Sequence, residues 1–183
     1  MVLSEETKAA IQAEYDEWKD RQYSGKDKKS RQAKGQFFTP PSLTIKMLEK
    51  FDSLEDKDIL DPTAGAGGLI AAAVIAGANP RRCYCIELDP DIAEICRQRL
   101  LKLGVPKRHV QVANALESQS YDFPEEPKTY VEITKTAGKI SFVFVSDFKE
   151  IKRIECCLPT EKQKAAAIIL KLKEKKVKVF RAT

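Results

Sequence analysis

A glycine-rich turn between an apolar strand and an apolar helix places the tightest constraint on the fold. The run DPTAGAGG occupies residues 61–68, after the strand-like segment at residues 58–60 and before the small apolar residues 69–74. Glycine adopts positive φ without steric cost and allows a close approach of the backbone to a ligand. The order strand, glycine turn, helix is typical of α/β proteins that bind nucleotide-like molecules.

The strand–helix pattern then repeats. Residues 83–86 predict a second strand that ends beside Glu87. Asp89 predicts the start of a helix that ends at Gly104, and residues 110–112 predict a third strand. Strands that alternate with helices imply parallel pairing through right-handed crossovers. We therefore predict an α/β fold with a doubly wound, Rossmann-like sheet.

Two helices precede this sheet, and a basic linker separates them. The first helix begins after Ser4 and carries three apolar residues at helical spacing, namely Ile11, Tyr15 and Trp18. We treat residues 1–34 as this helical arm and its linker. The second helix begins at Pro40 and Pro41, and four apolar residues are predicted to form its buried face: Leu43, Met47, Leu48 and Phe51.

The pattern changes beyond the third strand. Residues 130–134 and 140–145 predict a β-hairpin, and a helix and a final strand follow. We expect residues 128–183 either to complete the sheet or to form a small appendage. Residues 35–127 are then the core domain.

The cysteine and histidine content predicts the cellular compartment of the protein and whether it binds a metal. The five cysteines are odd in number and have no paired metal spacing, and His109 is the only histidine. Reduced core thiols and no metal are expected. No apolar run approaches the roughly 20 residues of a membrane span, and the N-terminus lacks a secretory signal pattern. We predict a cytoplasmic protein that does not bind membranes.

The net charge of +5 is unevenly distributed. Two basic clusters are suited to phosphate contacts. The alternative is that they form a solvated linker and a solvated helix face. The clusters are Lys26, Lys28, Lys29, Arg31 and Lys34, and then Lys162, Lys164, Lys171, Lys173, Lys175, Lys176 and Lys178.

Two acidic residues flank the glycine turn in the predicted sheet. A carboxylate at the end of the second strand, that of Glu87, can accept both hydroxyls of a ribose. Asp61, at the end of the first strand, can face an ammonium group. These residues predict a pocket for a nucleoside-bearing cofactor with an amino-acid end. The alternative is a turn with a structural role alone.

Residues 35–118 resemble the amino-methylating, adenine-specific DNA methyltransferases. They resemble most the subgroup with a motif ahead of the glycine loop, which includes the modification subunits of type I restriction systems. Three segments carry this resemblance in order and spacing: GQFFTP at residues 35–40, DPTAGAGG at residues 61–68 and IELDP at residues 86–90.

The resemblance implies S-adenosylmethionine as cofactor. Glu87 would bind the ribose hydroxyls, Leu88 would pack on the adenine ring, and Asp61 would hold the amino-acid moiety. Asn114 stands where the family usually has an aspartate that accepts from the adenine amine; alternatively it is a turn asparagine. The implied cofactor-binding set is Phe38, Thr39, Pro40, Asp61, Thr63, Gly65, Gly67, Glu87, Leu88, Asn114 and Ala115.

The catalytic segment departs from the family. Relatives carry a tetrad of Asn, Asp or Ser, two prolines and an aromatic residue, which binds the flipped base. The only Pro-Pro pair here is at Pro40 and Pro41. Ser146, Asp147 and Phe148 are the nearest substitute, or simply the end of a hairpin. We expect the family resemblance to end before residue 128 and the C-terminal half to be divergent and truncated.

The leading interpretation is a DNA adenine methyltransferase-like protein that uses S-adenosylmethionine. The alternative is a catalytically inactive cofactor- or DNA-binding remnant or subunit of a restriction–modification or phage system. A protein partner would then supply the missing catalytic or target-recognition parts. A methyltransferase that acts on another substrate is a third interpretation.

Overall fold

The computed structural model describes residues 1–23, 38–123, 129–136, 138–146, 149–157, 160–175, 177 and 179–182. The chain divides into two compact units, Met1–Pro124 and Glu125–Thr183. Each unit is described by itself.

The first unit begins with a long helix, α1, at Glu5–Tyr23. Ser4 caps it, because the Ser4 hydroxyl accepts a hydrogen bond from the Thr7 N–H at 3.1 Å. Ile11 and Trp18 are buried, as their helical spacing predicted. The apolar stripe of α1 therefore packs into the core of the first unit.

The second helix, α2 at Pro41–Leu48, buries a different face from the predicted one. Leu43, Met47 and Phe51 are 49%, 42% and 51% exposed, so the prediction was wrong for three of its four residues. The buried residues of α2 are Pro41, Thr44 and Leu48. This strip faces the neighbouring helices, and its central position is a threonine. Because the packed face contains this polar residue, hydrophobic spacing predicted the wrong face.

A parallel sheet follows, with strand order β1-β2-β3. The strands are β1 at Ile59–Asp61, β2 at Cys83–Glu87 and β3 at Val110–Val112. Two crossover helices connect them, α3 at Gly68–Ile75 and α4 at Pro90–Lys102. These elements confirm the predicted α/β fold. The three strands correspond to one half of a doubly wound sheet.

Local signals in the sequence account for the crossover α4. The Asp89 side chain accepts hydrogen bonds from the N–H groups of Asp91 and Ile92 at 3.0 and 3.3 Å. The chain leaves the helix through Gly104, whose φ is +88°. Small buried residues, among them the alanines at 71–73, allow α3 to pack closely on the strands.

The second unit has a four-stranded sheet of its own, with strand order β6-β5-β4-β7. The strands are β4 at Thr129–Thr136, β5 at Lys139–Ser146, β6 at Lys149–Cys157 and β7 at Val179–Ala182. The helix α5, at Lys162–Glu174, buries Ala165 and Leu172.

The β4–β5 hairpin agrees with the sequence pattern, whereas β6 was missed. Charged residues are the majority in β6, and Ile151 is 64% exposed. A charged strand at the edge of a sheet lacks the apolar alternation of a central strand, and such charges discourage pairing with other chains.

No helix in the described part of the chain is long and apolar enough to cross a membrane. The same residues contain no group of three or more histidine, cysteine, aspartate or glutamate side chains that could hold a metal ion. All five cysteines are free thiols, and only Cys157 is exposed.

Candidate cofactor site

The carboxyl ends of β1 and β2 bring two acidic side chains to the same edge of the sheet. Asp61 is the last residue of β1, and Glu87 is the last residue of β2. The two strands are parallel neighbours, with Asp61 opposite Cys85. The glycine turn leaves the sheet between these carboxylates.

The Glu87 carboxylate points at the turn. Its Oε2 accepts the Gly65 N–H at 2.7 Å, and its Oε1 accepts the Asp89 N–H at 2.9 Å. Each carboxylate oxygen can accept more than one hydrogen bond. The two protein bonds therefore fix the carboxylate and leave acceptor capacity for a ligand.

The two left-handed glycines of the turn have different roles. Gly65 has φ +54°, and a Cβ there would lie 3.7 Å from the Phe38 ring, which is ordinary contact. Gly67 has φ +78°, and a Cβ there would lie 2.8 Å from the Cys96 sulfur. Gly67 is therefore required for packing against α4. Gly65 forms the wall of the pocket.

The helix α3 starts directly from this turn. Gly67 is its N-cap residue and lies in the left-handed region, without a side chain to accept from the first helical N–H groups. Gly68 and Leu69, the first residues of α3, line the pocket. The positive end of the helix dipole thus faces this pocket.

The pocket itself lies between the turn, α1 and the segment ahead of α2. The empty space within it is about 390 Å³, which includes space open to solvent. Five predicted residues line it: Phe38, Thr39, Asp61, Thr63 and Gly65. The remaining lining residues are Tyr15, Ala64, Gly68, Leu69 and Arg99.

Asp61 is a largely buried acid that lines this pocket. It is 9% exposed, and its Oδ1 accepts the Thr63 N–H at 3.1 Å. Burial raises the pKa of Asp61; the hydrogen bond from Thr63 opposes the rise, and the negative charge of Glu87 adds to it. A cationic ligand group beside Asp61 would relieve this cost. The site is therefore chemically suited to an ammonium group.

The other six predicted residues do not line the pocket: Pro40, Gly67, Glu87, Leu88, Asn114 and Ala115. Pro40 is exposed and precedes α2. Leu88 follows Glu87 and is 68% exposed. Asn114 forms a turn, because its Oδ1 accepts the Leu116 N–H at 3.1 Å. The Ala115 carbonyl accepts the Tyr121 hydroxyl at 2.8 Å.

Tyr15 and Arg99 are pocket residues that the sequence analysis did not identify. Tyr15 was assigned to the apolar stripe of α1, and Arg99 was not singled out. Arg99 is 2% exposed on the packed face of α4. An arginine among apolar residues on one helical face was the available signal.

Several predicted functional residues lie outside the described part of the chain. These are the catalytic candidates Asp147 and Phe148, the first basic cluster, Lys176, Lys178 and residues 35–37 of the N-terminal motif. Ser146 ends β5 in the second unit and is half-buried.

Comparison with protein-family models gives a match to N-6 DNA Methylase over residues 13–142. The match extends past residue 128, so the expectation that the resemblance ends there was wrong. Its C-terminal part includes β4 and the first residues of β5. Those strands lack the catalytic tetrad that guided the prediction, and their apolar alternation alone is not specific for a family.

A curated relative is the protein-L-isoaspartate O-methyltransferase of Pyrococcus horikoshii, which is 30% identical over 117 residues. The alignment covers 58% of this chain and 52% of the relative, so the chain spans about half of that protein's length. No solved structure gives a significant match. With a parallel sheet, a glycine turn at its carboxyl edge and a family match over more than half of its residues, the chain belongs to the N-6 DNA methylase family.

Proposed function

We propose that this protein binds S-adenosylmethionine and transfers its methyl group to the exocyclic amine of adenine in DNA. The observation that carries this proposal is the convergence of the Gly65 turn and the Glu87 carboxylate, joined by a 2.7 Å hydrogen bond. Family membership supports the reaction class.

The donor set fits the proposed cofactor. The Asp61 carboxylate would bind the ammonium group, and the Glu87 carboxylate would accept the ribose hydroxyls. Phe38 and Thr39 would line the methionine end, close to Gly65. Leu88 offers exposed apolar surface for the adenine ring. The family's aspartate role would fall to Asn114, whose amide oxygen can accept a second hydrogen bond.

The chemistry requires alignment more than acid–base groups. When bound, S-adenosylmethionine supplies a methyl group activated by a sulfonium. In the proposed transfer, the lone pair of the adenine amine would attack the methyl carbon in line, and a C–N bond would form as the C–S bond breaks with its electron pair moving to sulfur. The methylated amine would then lose a proton to solvent. The protein contributes by holding the two reactants in this geometry.

DNA as the target requires a cationic surface. In the described residues, α5 and the residue after it carry five exposed lysines: Lys162, Lys164, Lys171, Lys173 and Lys175. Exposed lysines of this kind contact phosphates and release counterions. The proposed compartment is the cytoplasm, where free thiols persist.

Methyl transfer from radiolabelled S-adenosylmethionine to adenine-containing DNA tests the proposal. We expect label in N6-methyladenine, and DNA affinity that falls steeply as salt rises. Cofactor binding without any label in DNA would contradict the transferase assignment.

A catalytically inactive binding module is the second candidate. It is favoured by the absence of the Asn, Asp or Ser–Pro–Pro–aromatic tetrad from these 183 residues. Such a module would act as a subunit of a restriction–modification or phage system and depend on a protein partner. Label in protein or RNA but not in DNA would instead favour a different substrate, as the name of the archaeal relative illustrates.

A further inference from the structure

A buried ion pair fixes α1 on α4. Arg99 donates from Nε to Oε1 of Glu14 at 2.7 Å and from Nη2 to Oε2 of Glu14 at 2.6 Å. The side chains are 2% and 14% exposed, respectively. A bidentate pair constrains the relative orientation of its partners as well as their separation. Glu14 and Arg99 therefore set the position of α1.

The same guanidinium also contacts the glycine turn. Nη1 of Arg99 donates to the carbonyl oxygen of Ala66 at 3.2 Å. A Cβ at Gly68 would lie 3.4 Å from that nitrogen, so the start of α3 passes directly over the guanidinium. One arginine thus connects α1 to the loop that forms the pocket wall.

Tyr15 extends this connection into the pocket. It follows Glu14 in α1, and it lines the same cavity as Asp61 and Gly65. Because Arg99 holds the Glu14 carboxylate, rotation of α1 about its axis or movement along it would break this pair. The pair therefore keeps the Tyr15 backbone in place beside the cavity. The N-terminal helix is part of the cavity wall.

We propose that α1 is a working part of the cofactor site, in which Tyr15 contacts the bound cofactor and the Glu14–Arg99 pair acts as a positioning device. Docking of α1 and occupancy of the pocket are then coupled. The proposal rests on the proposed function, since it takes the cofactor to be S-adenosylmethionine. By linkage, a ligand that binds the docked form more tightly stabilises docking by the same factor.

Stability alone does not account for this pair. A buried ion pair often contributes no more to stability than apolar residues of similar volume, because both charges lose their hydration. What the pair adds is a fixed geometry, here between α1, α4 and the turn. A second ion pair between the same helices, Glu17 with Lys102 at 3.0 Å, serves as a natural comparison.

The comparison pair differs in exposure and location. Glu17 and Lys102 are 50% and 52% exposed, and neither lines the pocket. Glu17→Gln therefore loosens the contact between α1 and α4 without touching the turn. Glu14→Gln is the same chemical change, three residues earlier on the same helix.

The test measures the Kd of S-adenosylhomocysteine by calorimetry for the wild type, Glu14→Gln, Tyr15→Ala and Glu17→Gln. We expect Glu14→Gln and Tyr15→Ala each to raise the Kd at least about fivefold, and Glu17→Gln to change it by less than about twofold. Equal effects of Glu14→Gln and Glu17→Gln, or no effect of Tyr15→Ala, would overturn the proposal. Failure of the wild type to bind would instead overturn the proposed function.

A second test uses the wild type alone, so its result does not depend on whether the variants fold. Hydrogen exchange of α1 amides should slow when S-adenosylhomocysteine saturates the protein, by the factor that linkage requires. The fluorescence of Trp18, the only tryptophan, reports undocking of α1 directly. Slower exchange in the glycine turn without a change in α1 would show that the helix does not sense the ligand.

Discussion

The backbone N–H of Gly65 donates to Oε2 of Glu87 at 2.7 Å, across 22 residues of sequence. The carboxylate thus supports the turn, and Gly65 of that turn lines the pocket. A second bond, from the Asp89 N–H, holds its other oxygen. Changes at Glu87 should therefore affect both the loop and the ligand.

Replacement of Glu87 with alanine should weaken cofactor binding by roughly 1–3 kcal/mol, through loss of hydrogen bonds to a charged acceptor. Glu87→Gln keeps one acceptor oxygen and should cost less. Calorimetry with S-adenosylhomocysteine measures both effects. Glu94→Ala is the matched control, since Glu94 is an exposed glutamate on α4. If Glu87→Ala binds S-adenosylhomocysteine with wild-type affinity, Glu87 does not contribute to cofactor binding.

Gly67→Ala should reduce the free energy of unfolding by roughly 2–5 kcal/mol. About 1–2 kcal/mol comes from the left-handed backbone and the rest from overpacking against Cys96. Gly77→Ala is the control, because Gly77 also has positive φ but nothing lies within 4 Å of the Cβ position. It should lose only the backbone contribution. Urea denaturation distinguishes them, and equal losses would show that the contact with Cys96 is unimportant.

Asp61 should make stability depend on pH with a defined sign. Its folded pKa is raised by burial, so the ionised carboxylate destabilises the folded state at neutral pH. This cost disappears as pH falls through the folded pKa toward the ordinary value for aspartate. Asp61→Asn should therefore raise the free energy of unfolding at pH 7, and this gain should shrink in acid. Urea denaturation at a series of pH values measures it.

Ligand affinity should show the opposite trend at Asp61. Because the ionised form binds an ammonium group, the affinity for S-adenosylhomocysteine should fall as acid protonates Asp61. Asp61→Asn should bind weakly, and its affinity should lack this dependence. A variant that is both more stable and fully able to bind would exclude the ammonium role.

The exposed apolar stripe of α2 should be indifferent to polar substitution. Leu43→Gln and Met47→Gln should each change the free energy of unfolding by less than about 0.5 kcal/mol, as is usual for surface positions. Leu48→Ala should cost about 2–5 kcal/mol, because Leu48 is 3% exposed. If Leu43→Gln and Leu48→Ala lose similar free energy of unfolding, Leu43 is buried, as hydrophobic spacing predicted.

Local signals in the sequence were sufficient for the elements around the turn. Asp89 as a helix cap, Gly104 as a terminator and Glu87 at the end of β2 each depend on neighbouring residues, and all three have the predicted structural positions. The proximity of Glu87 to Gly65 followed from parallel strand order, which brings strand ends to one edge of the sheet.

Features that depend on distant partners were not predictable. Arg99 pairs with Glu14 across 85 residues of sequence. The position of Arg99 among apolar residues of α4 indicates that it is buried, but the local sequence does not identify its partner. The buried face of α2 depends on which helices surround it, and Thr44 occupies that face. β6 is an edge strand whose charges conceal its pairing with β5.

Because Gly67 is the N-cap residue, the start of α3 lacks a side-chain cap. Most helices complete their opening turn with an oxygen from their own sequence, but this one begins at a residue with no side chain, and its first two residues border the cavity. In the proposed complex, the carboxylate of the cofactor's amino-acid moiety would accept hydrogen bonds from the first N–H groups of the helix. Binding of that cofactor would therefore stabilise the first turn of α3 as well as fill the pocket.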